Sequence, residues 1–126
     1  MCHYLQDNMK LIAPFIKIQQ QLRIFHWQSE TYAQHKAFGE TYEALDELID
    51  DFVEVFTGKY GKPKAKFTYS IELKNLDETF ATEIDDSIAF LLALSEHVDP
   101  SDTDLLNIRD EMLALFNKLK YLLNLK

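Results

Sequence analysis

Hydrophobic residues recur every three or four positions in four stretches of the chain, which is the period of an amphipathic α-helix. These stretches predict helices over about residues 4–28, 31–57, 76–97 and 102–125. The second stretch keeps the period most regularly. Pro14 interrupts the pattern of the first stretch, so it either kinks that helix or begins a shorter one there, and we favour the kink. The pattern predicts an all-α protein.

Polar residues that commonly cap helices precede three of the predicted elements. Ser29 and Thr31 are both candidate N-terminal caps of the second helix. Asn75, with Glu78 three residues later, has the spacing of a capping box for the third helix. Ser101 is the candidate cap of the fourth helix. These signals set the predicted starts of the helices.

The connections between the predicted helices are short, long and short. Gly58 is a candidate stop for the second helix, residues 59–74 form a long linker, and Pro100 separates the last two helices. Two helical hairpins joined by one long connection have the topology of ferritin-type bundles. We therefore predict that residues 1–126 form one domain, a ferritin-like antiparallel four-helix bundle with one longer crossover connection between helices 2 and 3.

Composition agrees with a few long helices. The 126 residues include only 3 glycines and 3 prolines, whereas all-β folds need frequent turns. No apolar run is long enough to cross a bilayer, and no basic-then-apolar leader opens the chain. The single cysteine, Cys2, fits a reducing compartment. We expect a cytoplasmic protein that does not bind membranes.

The charge of the chain argues against nucleic acid as a partner. The net charge is −8 and the isoelectric point is near 4.9, whereas DNA binding relies on neutralising phosphates. The local exception is a set of lysines in the long linker: Lys59, Lys62, Lys64 and Lys66. We interpret these lysines as a solvated linker and expect no DNA binding.

Carboxylates follow one border of the buried face of the second predicted helix: Glu43, Asp46, Asp50 and Glu54. Glu40 and Asp51 lie further round the same helix and should be solvated. Such a band, together with imidazole, suits iron, zinc or manganese better than calcium, which prefers oxygen ligands. A solvated polar flank has the same pattern, and spacing alone favours that simpler interpretation.

Two histidines shift the balance towards a metal site. His26 projects onto the middle of the apolar stripe of the first helix, and His35 lies at the start of the second. A buried histidine needs a hydrogen-bond partner or a metal. Because the two residues flank a tight turn, we expect them to approach the same volume. His97 is expected to be exposed, and neither it nor His3 carries a functional prediction.

One set of residues also carries a family resemblance: Phe25, His26, Trp27, His35, Asp50 and Glu54. This arrangement resembles the ferritin-like Dps proteins. It is closer still to the small ferritin-like proteins of tailed phages, in which the pattern LR-x-FHWQ…YA-x-HKA-x-G…D-x-L-I-D-x-F-V-E…GKYG recurs. The resemblance covers about residues 22–61.

In Dps proteins the matching positions form iron-oxidising sites at a two-fold subunit interface. The resemblance therefore implies that His26 and His35 of one subunit and Asp50 and Glu54 of another bind iron, or zinc or manganese in its place. It also implies a homo-oligomer, such as a dimer or a dodecamer, and ferroxidase activity, the oxidation of Fe(II). If the protein is encoded by a phage, its location would be the host cytoplasm.

Three features depart from the Dps pattern. Gly39, one turn after His35, stands where a ligating aspartate is expected, and Glu43 or Asp46 would have to replace that ligand. The loop between the histidines is shorter than in typical Dps proteins, and the lysine-rich N-terminal tail is absent. The alternative function is therefore a non-enzymatic helical bundle, with an interaction or structural role, that has lost the metal site.

Overall fold

The computed structural model describes residues 8–125, and all regular structure within them is helical. Its elements are α1 (Met9–Gln28), α2 (Tyr32–Tyr60), α3 (Phe80–Ala93), a 3-10 turn (Leu94–Glu96) and α4 (Thr103–Leu123). The all-α prediction with four helices is confirmed. In the described part of the chain, no helix combines the length and the apolar character that a bilayer crossing requires.

The first helix passes through Pro14 without ending. The alternative of a shorter helix that begins at this proline is therefore wrong. The part of the predicted helix before Asn8 lies outside the described residues. Ser29 does not cap α2: its hydroxyl donates to the carbonyl of Phe25 at 2.8 Å and so belongs to the C-terminal end of α1.

The second helix begins where predicted and ends later. Thr31 is its N-terminal cap, and the Thr31 Oγ1 atom accepts the backbone N–H of Gln34 at 3.2 Å. Gly58 does not stop the helix, which continues to Tyr60. Gly61 follows with φ of 101°, a conformation that glycine adopts without steric cost, and its N–H bonds to a carbonyl of the last turn.

The third helix begins at Phe80, later than predicted, because the residues before it form other bonds. The capping box predicted at Asn75 is absent; the Asn75 side chain accepts a hydrogen bond from Gln28 at 2.9 Å. The carboxylate of Asp77 accepts the backbone N–H and the hydroxyl of Thr79, at 2.8 and 2.6 Å. That Asx turn delays the first helical turn.

The fourth helix is not capped by Ser101 either. Both the backbone N–H and the hydroxyl of Ser101 donate to the Asp99 carboxylate, at 2.9 and 2.7 Å. Asp102 occupies the N-cap position of α4, but its side chain makes no cap bond. It instead accepts hydrogen bonds from Lys59 at 2.8 Å and Tyr60 at 2.5 Å, which ties α4 to the end of α2.

Residues 61–79 form the long connection and run back along α1. Three polar side chains of the first helical segment hold the backbone of this crossover: Asn8, Gln21 and Gln28. Asn8 donates to the carbonyl of Lys62. Gln21 donates to the carbonyl of Lys74 and accepts its N–H, and Gln28 accepts the N–H of Leu76. Since the crossover returns to the end of the bundle where α2 begins, α3 runs parallel to α2. The long connection predicted between helices 2 and 3 is confirmed.

One apolar face of each helix contributes to the core. α2 packs against both α1 and α4, and α3 packs against α4. The largest fully buried side chains are Phe15, Phe25, Phe38, Phe52, Phe116, Leu45, Leu91, Leu94, Leu105, Met112 and Leu119. His26 was predicted in the middle of the buried face of α1, but it lies half-buried at the border of that face, next to α2.

Candidate functional site

The tight turn between α1 and α2 places His26 and His35 face to face. Their ring centroids are 3.9 Å apart, and the ring planes are inclined by 25°. His26 lies in the last turn of α1, and the more exposed His35 lies in the first turn of α2. The structure therefore brings the two histidines into one volume, as the sequence predicted.

Each imidazole bonds through Nδ1 to the backbone carbonyl of the other histidine. The distance is 2.7 Å from His26 Nδ1 to the oxygen of His35, and 3.4 Å for the weaker reciprocal bond. A carbonyl oxygen can only accept, so the neutral imidazoles carry their protons on Nδ1. The Nε2 atoms make no hydrogen bond within residues 8–125. Metal-ligating histidines have this arrangement, with one nitrogen bonded to a backbone carbonyl and the other available.

The ring of His26 lies directly against the backbone of α2 at Gly39. A Cβ atom added to Gly39 would lie 2.8 Å from Cε1 and 2.9 Å from Nδ1 of His26. These distances are shorter than the roughly 3.5–4.0 Å at which non-bonded carbon atoms pack. The position where the Dps resemblance expects an aspartate is therefore occupied by the His26 imidazole.

Aromatic and charged side chains continue this seam between α1 and α2. Tyr42 contacts the His26 ring edge-on at 5.2 Å, and the guanidinium of Arg23 lies 4.9 Å from the centre of the Tyr42 ring. Arg23 also donates to Asp46 at 2.9 Å. Burial raises the pKa of Asp46; Arg23 opposes this shift and Asp50 adds to it. One oxygen of the Asp46 carboxylate, Oδ2, is therefore already paired with Arg23.

The remaining predicted acids lie on the outer surface of α2. Glu43, Asp50 and Glu54 are exposed and form no ion pair with the described residues. Glu40 and Asp51 are exposed as well, as predicted from their position further round the helix. The exposed carboxylates are therefore available for contacts outside the single chain.

The acids do not join the histidines within one chain. Across residues 8–125, no group of three or more histidine, cysteine, aspartate or glutamate side chains is close enough to hold a metal ion. A helix rises 1.5 Å per residue, so Asp50 lies about 22 Å along α2 from His35. The four predicted ligands His26, His35, Asp50 and Glu54 can share an ion only if a second copy of the chain supplies the acids.

Comparison with known proteins assigns the chain to a family. Residues 26–123 match a family of unknown function, DUF5856. The chain belongs to this family. It is also similar to an uncharacterized 14.6 kDa protein in the mobD-ri intergenic region of Enterobacteria phage T4. The two are 28% identical over 102 residues, which cover 80% of this chain and 75% of the phage protein. No solved structure matches the chain.

The DUF5856 match begins at His26, so it contains both histidines, Gly39 and the four predicted acids of α2. The part of α1 before His26 lies outside it. The similarity to a phage protein agrees with the phage connection implied by the resemblance. Neither match names a ferritin-like or a Dps protein.

The sequence did not indicate Arg23 as part of the site of this DUF5856 chain, nor the exposure of two aromatic side chains beside it. Arg23 lies three positions before His26 and hence on the same face of α1, a spacing that would have drawn attention to it. Trp27 and Tyr32, on either side of the turn, have exposed fractions of 67% and 77%. Exposure of such large aromatic side chains cannot be derived from a helical period. His97 is half-buried and not exposed as expected.

The lysine-rich segment does not form one continuous basic patch. Lys59 is engaged in ion pairs with Asp102 and Asp104, at 2.8 and 2.6 Å. Lys62 and Lys64 are exposed on the crossover. This distribution agrees with the interpretation of the segment as a solvated linker.

Proposed function

We propose that this DUF5856 protein is a ferritin-like bundle that binds a divalent metal ion, iron or the similar zinc or manganese, through His26 and His35. The observation that carries the proposal is the arrangement of the imidazole nitrogens. Both Nδ1 atoms face backbone carbonyls, and both Nε2 atoms are without a hydrogen bond within the described residues. Metal-ligating histidines have this arrangement, in which one ring nitrogen bonds to a backbone carbonyl and the other can bind the ion.

Metal binding would require a small rearrangement of the two rings. In two stacked rings the Nε2 lone pairs lie in nearly parallel planes and do not point at a common position. One ion bound by both rings needs the two lone pairs to converge on it, with each Nε2 atom about 2.0–2.1 Å from the ion. The planes, inclined by 25°, would therefore open further. Both residues lie at an exposed end of the α1–α2 hairpin, where side-chain rotation is not blocked by the core.

Two imidazoles leave coordination positions of a first-row metal ion unfilled. We propose that Asp50 and Glu54 of a second copy fill them across a two-fold interface, which makes the protein a homo-oligomer. These acids are exposed one turn apart on α2, as such a contact needs. Carboxylate ligands favour Fe(III) over Fe(II), so iron at this site would be a substrate for oxidation by oxygen or peroxide. Ferroxidase activity is part of the proposal on this basis.

The proposal is tested by titration of the protein with Zn(II), and with Fe(II) under anaerobic conditions, by calorimetry. We expect stoichiometric binding that the double variant His26→Ala/His35→Ala abolishes. His97→Ala serves as the matched control, because it removes a histidine far from the turn. Absence of binding by the unaltered protein, or equal binding by the double variant, would refute the proposal.

The second candidate is an interaction or structural protein without a metal. It is favoured by the exposure of Trp27 and Tyr32 and by an apolar groove of about 450 Å³ that Tyr32, Leu122 and Leu125 line together with neighbouring residues of α2. This function predicts that Tyr32→Ala weakens association with a partner protein, whereas the histidine variants assemble and act normally. Measuring partner association and metal binding for both Tyr32→Ala and the histidine variants distinguishes the two candidate functions.

A further inference from the structure

We infer that Gly39 is a positioning residue: it provides the space that seats the His26 imidazole against α2 and so forms the histidine pair. The metal-binding consequence of this inference rests on the proposed function, whereas the seating itself does not. On this view Gly39 is a functional part of the site, although it stands where the Dps resemblance expects a ligand.

The hydrogen bond of His26 explains why the ring lies at Gly39. His26 Nδ1 donates to the carbonyl of His35 at 2.7 Å. In an α-helix the carbonyl of residue 35 is also the one that accepts the N–H of residue 39. The bond therefore draws the imidazole onto the helix surface at the glycine. A side chain at position 39 would therefore collide with the His26 ring in the position where the ring makes this hydrogen bond.

The expected consequence of a Cβ atom is local. The two atoms that it would approach, at 2.8 and 2.9 Å, both belong to the His26 ring and not to the backbone. Since the ring is the end of a side chain at the half-buried rim, it can rotate outward while the helices stay in place. Gly39→Ala should therefore fold normally, lose the bond to His35, and separate the stacked rings.

The same geometry reverses a prediction of the family resemblance. If Gly39 were merely a lost ligand, Gly39→Asp would restore a carboxylate and strengthen metal binding. If Gly39 seats His26, the aspartate would gain one ligand at the cost of displacing another. The native site would then be rich in imidazole within each chain, which suits borderline divalent ions such as Zn(II).

The seating is tested without metal by NMR of the histidine side chains. In the unaltered protein we expect the Nδ1–H tautomer at His26, with ring protons shifted by the stacked His35. Gly39→Ala should lose both signatures. Gly58→Ala is the matched control, because Gly58 lies in the same helix with nothing within 4 Å of an added Cβ, and its spectrum should be unchanged. An unchanged His26 spectrum in Gly39→Ala would overturn the inference.

The functional consequence is tested by calorimetric titration with Zn(II). We expect Gly39→Ala to weaken binding by about 10- to 100-fold, the effect typical of residues that orient a ligating histidine. Gly39→Asp should not bind more tightly than the unaltered protein, and Gly58→Ala should bind equally well. Tighter binding by Gly39→Asp would contradict the inference.

The two proposals can fail separately. If the unaltered protein binds no Zn(II) but Gly39→Ala still loses the tautomer signature, the proposed function is wrong and the seating is supported. If the unaltered protein binds Zn(II) and Gly39→Ala changes neither spectrum nor affinity, metal binding is supported and the role of Gly39 is wrong.

Discussion

At the scale of single residues, the free space around a backbone position decides what a glycine contributes. Gly39 and Gly58 lie in the same helix, yet a Cβ atom would collide with His26 at the first and meet no atom within 4 Å at the second. Both pay the entropic cost of glycine in a helix. Only at Gly39 does a specific contact compensate for that cost.

This difference predicts opposite effects on stability. Gly58→Ala should raise the free energy of unfolding by about 0.5–1 kcal/mol, the gain in helix propensity. Gly39→Ala has the same gain but loses the His26–His35 hydrogen bond and stacking, so its net change should be about zero. Chemical denaturation of both variants measures the difference. Equal stabilisation by the two substitutions would show that the contact at Gly39 has no energetic role.

A second residue-scale prediction concerns Tyr60. Its hydrogen bond to Asp102, followed by burial, raises its pKa from 10.0 to about 12. The folded state therefore favours the protonated phenol. The resulting stability is fully present below pH 10 and is lost as the pH rises towards 12. We expect the free energy of unfolding to fall less steeply over this range in Tyr60→Phe than in the unaltered protein. Parallel curves for the two proteins would contradict this assignment.

At the scale of elements, side chains of one segment hold another segment in place. The carboxylate of Glu83, at the start of α3, is 7% exposed and bonds Lys17 of α1 at 3.0 Å and Lys74 of the crossover at 2.9 Å. One buried charge therefore joins three segments. Burial raises the pKa of Glu83, but the bonds to the two lysines lower it more, so the net shift is downward.

We expect Glu83→Gln to lower the free energy of unfolding by about 1–2 kcal/mol, less than for a fully buried pair because both lysines are partly exposed. Asp85→Asn, which removes an exposed ion pair with Lys120, is the control and should cost little. Because the folded-state pKa of Glu83 is lowered, its contribution is present above pH 4.5 and is lost as the pH falls further. Denaturation at pH 7 and at acidic pH checks both statements; a Glu83→Gln variant as stable as the control would refute them.

The elements also show which features a sequence can predict. The period of α2 was predictable, and Phe38, Leu45 and Phe52 follow it into the core, because a helix buries one face whatever its exact ends. The ends were less predictable. Gly58 looked like a stop, but the conformation that ends the helix occurs at Gly61. The start of α3 moved to Phe80 because the preceding polar side chains form tertiary and turn bonds that local propensity does not contain.

At the scale of the whole molecule, the candidate site was only partly predictable for the same reason. Proximity of His26 and His35 follows from a tight turn between two helices, so the sequence predicted it correctly. The seat at Gly39 depends on the direction of one imidazole, and the pairing of Asp46 with Arg23 depends on packing across helices. A list of candidate ligands cannot show that the space beside Gly39 is filled by His26, or that Asp46 is already paired with Arg23.

The topology of the bundle also fixes the form of any complete site. The histidines lie at the turn between α1 and α2, and Asp50 and Glu54 lie about 22 and 28 Å further along α2. A site that uses both sets must therefore be shared between copies. In a two-fold dimer each interface would hold two such sites, each combining the histidines of one copy with the acids of the other.

Sharing predicts that two inactive variants complement each other. His26→Ala/His35→Ala and Asp50→Ala/Glu54→Ala should each bind no Zn(II) alone. After denaturation and joint refolding in equal amounts, a mixed dimer contains one site with all four ligands and one with none. Random pairing makes about half of the dimers mixed, so binding should return to about a quarter of the sites of the unaltered protein. Native mass spectrometry confirms mixed dimers, and calorimetry counts the sites. Mixed dimers without recovered binding would show that the acids of a second copy do not complete the site.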